Sequence, residues 1–223
     1  MMNHQQAGAG DTAAATARSD YTHRLVRLES VWWKRVLDVQ APYRWNIRRL
    51  RLGHTLDVGC GIGRNLHHLG PGAVGVDHNP DSVTVARARA LTAYTSEEFP
   101  SSADGVPASF DTILLAHVVE HMDRESAIAV LTAYLPFLKP GGRVVFITPQ
   151  EAGYRSDQTH VRFVGFEALA DLADATGFAV TRRYSFPFPR MIGKFFRYNE
   201  FVAICEPGAG SGRTDNRRRA TDQ

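Results

Sequence analysis

The stretch Leu56-Asp57-Val58-Gly59-Cys60-Gly61-Ile62-Gly63 most strongly limits what this chain can fold into. It runs from an apolar segment into three glycines at alternate positions, and the residues after it are typical of the start of a helix. Glycine accepts positive φ and has no Cβ, so a ligand can lie directly against such a turn. Because glycines with this spacing also occur in ordinary turns, the turn alone is weak support for a nucleotide-type site.

An acidic residue about twenty positions after the turn strengthens this prediction. The segment from Gly72 to Asp77 is typical of a short buried strand that ends in an acid, where an α/β nucleotide-binding unit places the carboxylate for both ribose hydroxyls. Asp57, directly before the glycines, is a second acid, which a pyrophosphate would avoid and a cationic amino-acid tail would favour. The two acids together favour a nucleoside ligand with such a tail.

Strands and helices alternate along the rest of the chain, which predicts an α/β fold with a mostly parallel, doubly wound sheet. The final two strands are expected to form an antiparallel hairpin. Strands are predicted at 55–58, 73–77, 91–95, 110–116, 144–148, 178–186 and 201–205, and helices at 21–39, 43–50, 63–69, 80–90, from 118 onward, and 166–176.

Composition favours one domain with tails. A chain of 223 residues with 43% hydrophobic content can bury one sizeable core, and it has no run long and apolar enough to span a membrane. We expect a disordered arm over 1–19, a domain over 20–206 and a disordered tail over 207–223. Two cysteines are too few for a disulfide framework. A cytoplasmic protein with no membrane partner is therefore expected, and a net charge of +3 makes nucleic acid an unfavoured partner.

Four motifs in order resemble the class I S-adenosylmethionine-dependent methyltransferases: residues 56–63, 75–77, 110–122 and 138–142. The resemblance covers roughly residues 50 to 207. It implies a Rossmann-like fold with a seven-stranded sheet, S-adenosylmethionine as cofactor, and amino-terminal helices over 20–52 that cover the active site. The cofactor-binding residues that it implies are Asp57, Gly59, Gly61, Asp77, His78, Ser96, Glu97 and Ala116.

The sequence His117-Val118-Val119-Glu120-His121 departs from a generic methyltransferase. On a helical turn, residues i, i+3 and i+4 share one face, so its three polar side chains should point the same way from the carboxyl edge of the fourth strand. His160, in the loop after the fifth strand, is expected at the same edge. Each histidine alone is better explained by packing or surface exposure, but the four residues together favour a divalent metal site.

This pattern resembles the metal-dependent small-RNA 3′-terminal 2′-O-methyltransferases. Glu120, His121 and His160 match that motif, whereas His117 stands where those enzymes have a glutamate. Magnesium is the expected ion, and the less anionic set lets manganese or zinc compete with it. A bound ion would activate an acceptor alcohol, and His160, His121 or Asp157 is the candidate catalytic base.

Other segments resemble the methylmannose polysaccharide 1-O-methyltransferases: residues 32–35, 41–45 and 150–157, together with the histidine motif. That resemblance implies methylation of a sugar hydroxyl, the 1-hydroxyl of a short mannoside in polysaccharide biosynthesis. The implied acceptor-binding residues are Tyr154, Arg155, Arg162 and Trp32. Alternatives are a small-RNA 3′-terminal 2′-O-methyltransferase, a metal-free methyltransferase for a quinone or phenol, and a binding module without activity. A homodimer also stays open.

Overall fold

The structure is a computed structural model that describes residues 41–208. The chain forms two compact units, which divide between Val106 and Pro107. Trp32, the arm predicted over 1–19, the helix predicted over 21–39 and most of the tail predicted over 207–223 lie outside the described residues. Between residues 41 and 208, no helix has the length and apolar character needed to cross a membrane.

The first unit contains three parallel strands in the order β3-β2-β1, with helices before and between them. The N-terminus of α3 follows from its sequence, because the Asn79 side chain accepts a hydrogen bond from the Asp81 backbone N–H at 3.0 Å and Pro80 needs no N–H partner there. The elements are α1 (Ala41–Arg49), β1 (Thr55–Val58), α2 (Arg64–Leu69), β2 (Val74–Asp77), α3 (Pro80–Ala88) and β3 (Ala93–Thr95).

The second unit contains four strands in the order β4-β5-β7-β6. The β4 and β5 strands are parallel, and β7 is antiparallel to both β5 and β6. Gly177, at φ 84°, follows the end of α6 in the left-handed conformation that often terminates a helix. The elements are β4 (Phe110–Ala116), α4 (Arg124–Tyr134), β5 (Leu138–Pro149), α5 (Glu151–Tyr154), α6 (Phe166–Ala175), β6 (Phe178–Phe186) and β7 (Glu200–Pro207).

The predicted fold class is confirmed: the seven strands make a mostly parallel α/β sheet that ends in an antiparallel hairpin. Strand β4 is buried almost throughout, as expected for a strand covered on both faces. Strand β5 begins earlier than predicted, because Phe110 already pairs with Leu138 and the register shifts before Thr112 pairs with Arg143. Residues 138–142, the last of the four motifs that resemble the methyltransferases, therefore form the irregular beginning of this strand.

The segment after β4 also differs from the prediction. No helix runs on from Val118; a short 3-10 turn over Val119–His121 is followed by α4, which begins at Arg124. The Asp123 side chain caps α4 by accepting a hydrogen bond from the Ser126 N–H at 2.7 Å. This change of geometry decides which polar side chains after β4 come together.

Candidate cofactor and metal sites

The glycine turn after β1 has the backbone that the sequence predicts. Gly59, Gly61 and Gly63 have φ values of 76°, 54° and 84°. A Cβ placed on Gly61 would meet no atom within 4 Å, so a ligand can approach the backbone there. A Cβ on Gly63 would collide with the Leu91 side chain. The turn is therefore shaped both for packing and for an approaching ligand.

Asp77, at the end of β2, holds the glycine turn in place through a hydrogen bond. Its carboxylate accepts a hydrogen bond from the Gly61 N–H at 2.7 Å and one from the Asn79 N–H at 2.8 Å. Each oxygen keeps a further lone pair, so the side chain can still accept from two hydroxyl groups. The neighbouring His78 side chain is 84% exposed, with Nδ1 3.5 Å from Asp77 Oδ1.

Asp57 is fully buried at the same turn, and neither carboxylate oxygen has a hydrogen-bond partner. Burial raises its pKa to about 8, the charge of Asp77 adds to the rise, and the nearby Asn65 side chain opposes it without reaching hydrogen-bond geometry. A buried carboxylate without a donor is costly, and a cationic group would relieve that cost. Asp57 therefore fits the amino group of a ligand such as S-adenosylmethionine.

The contacts of Ser96 and Glu97 with the cofactor stay a prediction. The side chains of Ser96 and Glu97 are exposed, and the Ser96 N–H already donates to the Asp77 carbonyl at 3.1 Å. Glu98 is the acid that shapes this turn, since it accepts a hydrogen bond from Arg87 at 2.6 Å. Ala116, also predicted to contact the cofactor, ends β4 in the second unit.

Cys60, within the glycine turn, is a buried thiol. Burial raises its pKa, and the charges of Asp57 and Asp77 raise it further. A thiol in such surroundings stays protonated at neutral pH and is a poor nucleophile. The residue therefore serves packing, as its small size in the turn indicates.

Three of the four predicted metal ligands come together in the second unit. Glu120, His121 and His160 offer ligand atoms that all lie within 4.8 Å of one another. The Glu120 side chain is fully buried, and neither of its carboxylate oxygens has a hydrogen-bond partner. Two imidazoles and a carboxylate are a donor set that suits a first-row divalent metal. The residues present therefore fit a metal ion.

The hydrogen bonds around the two histidines assign their tautomers. His160 Nδ1 lies 2.7 Å from the Tyr154 carbonyl oxygen, so Nδ1 carries the hydrogen. The Thr159 hydroxyl donates to Asp157 at 2.7 Å, so His121 Nδ1, 3.2 Å from both Thr159 oxygens, must be the donor there. In both rings this leaves an Nε2 lone pair for an ion, the arrangement usual for metal-binding histidines.

Backbone hydrogen bonds fix the loop after β5 against the turn after β4. The N–H groups of Val161 and Arg162 both donate to the Glu120 carbonyl, at 2.8 and 3.1 Å. The Tyr154 ring stacks on His160 at 5.5 Å with an interplanar angle of 11°. These contacts position His160 beside Glu120 before any ion binds.

His117 does not join the three ligands, which corrects the prediction of one shared helical face. Its φ is 59° and Val118 is also non-helical, so the spacing of a helical turn does not apply. Its Nε2 lies 2.8 Å from Glu200 Oε1, and its Nδ1 lies 3.2 Å from Glu120 Oε1, outside hydrogen-bond geometry. Removal from water lowers the His117 pKa, but attraction by the two carboxylates outweighs this and raises it to about 10. His117 is therefore a cation between two acids.

The other residues predicted as a catalytic base or as acceptor-binding residues differ in their hydrogen bonds. Asp157 accepts from the Thr159 N–H at 3.0 Å as well as from its hydroxyl, so it organises the loop that carries His160. Arg155 donates to the Lys194 carbonyl at 3.0 Å. Arg162 has two side-chain nitrogens that are buried without a hydrogen-bond partner.

Sequence reasoning missed Glu200 as part of this cluster. It begins β7, is 8% exposed and pairs with His117 across the sheet. The only feature of the local sequence that could have pointed to Glu200 is its position directly before the apolar residues 201–205.

Residues 35–183 match the family model described as the methyltransferase domain. The match covers more than half of the chain, so the chain belongs to this family. The chain therefore carries a methyltransferase domain, and the seven-stranded fold and the glycine turn agree with it.

Curated relatives include two ubiquinone biosynthesis O-methyltransferases. The protein from Paracidovorax citrulli is 31% identical over 160 residues, which cover 62% of each chain. The protein from Idiomarina loihiensis is 33% identical over 139 residues, which cover 54% of this chain and 56% of that one. The chain thus spans about three fifths of the length of the curated relatives it matches.

Solved structures show the same fold at low identity. Magnesium protoporphyrin IX methyltransferase from Synechocystis, with bound SAH, matches with a TM-score of 0.61 and 15% identity over 90% of this chain and 100% of that chain. A SAM-dependent methyltransferase from Archaeoglobus fulgidus matches with a TM-score of 0.57 and 19% identity over 74% and 92% of the two chains. None of these matches supports the resemblance to sugar or small-RNA methyltransferases.

Proposed function

We propose that this protein is an O-methyltransferase that binds a divalent metal ion through Glu120, His121 and His160. The observation that carries the proposal is the fully buried Glu120 carboxylate, which accepts no hydrogen bond, has the His117 ring 3.2 Å from one oxygen as its ionic partner, and lies beside two imidazoles whose Nε2 atoms are available to an ion. Leaving a buried polar group unsatisfied costs about 1–3 kcal/mol, and more for a charged group. The ion pair with His117 offsets part of this cost without supplying a hydrogen bond, and a metal ion bound by the three side chains would offset the rest.

The ion would lower the pKa of an acceptor hydroxyl and so make its oxygen a better nucleophile. The protein supplies the ligands, and the backbone bonds from the loop to Glu120 orient them in advance. A histidine whose Nε2 binds the ion and whose Nδ1 donates to an oxygen has no lone pair left. The ligand and base roles of His121 and His160 therefore exclude each other.

The residues that we propose to bind the cofactor lie in the first unit. Asp57 pairs with the amino group of S-adenosylmethionine, and Asp77 accepts hydrogen bonds from its ribose hydroxyls. No atom lies within 4 Å of the position that a Cβ of Gly61 would take, so the ligand can lie directly against the backbone there. A side chain at this position would prevent that approach. S-adenosylmethionine supplies the methyl group.

For the acceptor we propose a phenol or quinol whose hydroxyl has a second oxygen on the neighbouring carbon. The names of the curated relatives, which refer to ubiquinone biosynthesis, support a ring hydroxyl over a sugar. Two adjacent oxygens can replace two waters on one metal ion, as a catechol or a sugar diol would. A short mannoside and an RNA 3′ end are the alternatives from the sequence.

The test is methyl transfer from labelled S-adenosylmethionine to a catechol, a phenol with one hydroxyl, a short mannoside and an RNA with a free 3′ end. Each reaction is run as purified, after EDTA, and after added magnesium, manganese or zinc. We expect catechol methylation that chelation abolishes and metal restores. Sugar or RNA methylation without catechol methylation would overturn the acceptor assignment.

Glu120→Gln tests the metal site directly, because it keeps the shape of the side chain and removes its charge. We expect it to lower bound metal, measured by elemental analysis, and catechol methylation by about 10- to 100-fold or more. Glu125→Gln is the matched control, since that glutamate lies on α4 with its side chain 79% exposed. Full activity in EDTA would refute metal assistance and leave a metal-free methyltransferase.

A further inference from the structure

Large apolar side chains are concentrated on the connection between β6 and β7. Five of the nine exposed large apolar residues in the described part of the chain lie there, which we call the apolar patch: Phe188, Met191, Ile192, Phe195 and Tyr198. Met191 is 78% exposed and Phe195 is 86% exposed. Single exposed apolar residues are ordinary, but a cluster of them marks an interaction surface.

The charged residues of the segment that carries the apolar patch are all cations. Residues 178–199 include five cations and no aspartate or glutamate: Arg182, Arg183, Arg190, Lys194 and Arg197. Arg190 is paired with Glu151, and Arg197 lies 5.1 Å from the centre of the Tyr198 ring. Aromatic and aliphatic side chains interleaved with cations are typical of surfaces that rest on anionic headgroups.

Buried hydrogen bonds fix the backbone that carries the apolar patch. The buried Asn199 side chain accepts from the Phe188 N–H at 2.9 Å and donates to the Gln150 side chain at 3.1 Å. Gln150 in turn donates to the Ser185 hydroxyl at 2.7 Å, and a Cβ on Gly193 would collide with it. The apolar side chains are thus held in solvent by an ordered support, which lowers the entropy cost of docking.

We propose that the apolar patch docks this protein on an anionic lipid surface. Met191 and Phe195 enter the boundary between headgroups and acyl chains, while Lys194 and Arg197 contact the headgroup phosphates. This docking is peripheral, so the lack of a membrane-spanning run, which led to the expectation of no membrane partner, does not bear on it. It is independent of the proposed metal site and acceptor.

The test is flotation of the full-length protein with vesicles of phosphatidylcholine alone or mixed with phosphatidylglycerol. We expect binding to the mixed vesicles, weaker binding to neutral ones, and a decrease at raised salt. The double variant Met191→Ser/Phe195→Ser should lower the partition coefficient at least about tenfold. Its fold, checked by circular dichroism and thermal unfolding, should be unchanged because both side chains are exposed.

Val106→Ser is the control, since Val106 is 50% exposed and lies outside the apolar patch. It should bind mixed vesicles as the unmodified protein does. Absence of binding to mixed vesicles, or equal binding by the double variant, would overturn the proposal. If the protein ignores vesicles and sediments as a dimer that the double variant dissociates, the apolar patch joins two copies of this chain and lipid docking is refuted.

Discussion

Replacing Asp57 with asparagine should stabilise the protein and weaken its binding of S-adenosylmethionine. The carboxyl pKa rises from 3.8 in a model compound to about 8 in the folded chain, so the folded state binds this proton more tightly than the unfolded state does. Stability is therefore unaffected by this group below about pH 4 and falls as pH rises towards 8. Each pH unit within this window costs about 1.4 kcal/mol.

Between pH 5 and pH 8 the expected loss is about 4 kcal/mol, and Asp57→Asn should abolish it. The charges that face Asp57 are those of Asp77 and, when ionised, Cys60, and the substitution alters neither side chain. Urea unfolding at several pH values measures the difference between the two proteins. The variant should gain stability over the unmodified protein steadily as pH rises.

Calorimetric titration with S-adenosylmethionine gives the second half of the prediction. The asparagine cannot pair with the ligand's amino group as a charge, so affinity should fall at least about tenfold. Asp174→Asn is the control, because Asp174 is an exposed aspartate on α6. A variant that is less stable than the unmodified protein at pH 8, or a difference that does not grow with pH, would refute the reasoning.

Three further substitutions test residues that hold the glycine turn, the loop with His160 and the apolar patch in place. Gly63→Ala puts a Cβ into Leu91 at positive φ, so the free energy of unfolding in urea should fall by about 1–3 kcal/mol, and an unchanged value would contradict the packing argument. Asp157→Ala frees the Thr159 hydroxyl, so metal affinity measured by titration should fall about tenfold while stability changes little. Asn199→Ala removes several buried hydrogen bonds, so the free energy of unfolding in urea should fall by roughly 2–4 kcal/mol. A decrease of less than about 0.5 kcal/mol, as surface substitutions give, would contradict the view that Asn199 holds the backbone of the apolar patch in place.

Local sequence was enough to predict the strands that precede the sites. Strand β1 was predicted with its observed bounds because apolar residues end at a glycine turn, and β4 because an apolar run ends at His117. The meeting of Glu120 with His160 also followed from the sequence, since both segments leave the carboxyl ends of parallel neighbours.

The position of His117 could not be predicted in the same way. A histidine at φ 59° breaks the helical spacing on which the prediction depended, and no glycine marks that conformation. Glu200 approaches His117 through the antiparallel register that pairs Pro149 with Glu200, a long-range feature that local patterns do not contain.

The pairing of His117 with two acids sets the net charge of the cluster that contains the proposed metal ligands. Both ring nitrogens face carboxylate oxygens, so the ring is an imidazolium, and it leaves Glu120 and Glu200 with a single negative charge between them. Such a cluster attracts a divalent ion less strongly by charge alone than one with two uncompensated carboxylates. Selection among ions at the proposed site would then depend more on the two imidazole nitrogens, which favour zinc over magnesium.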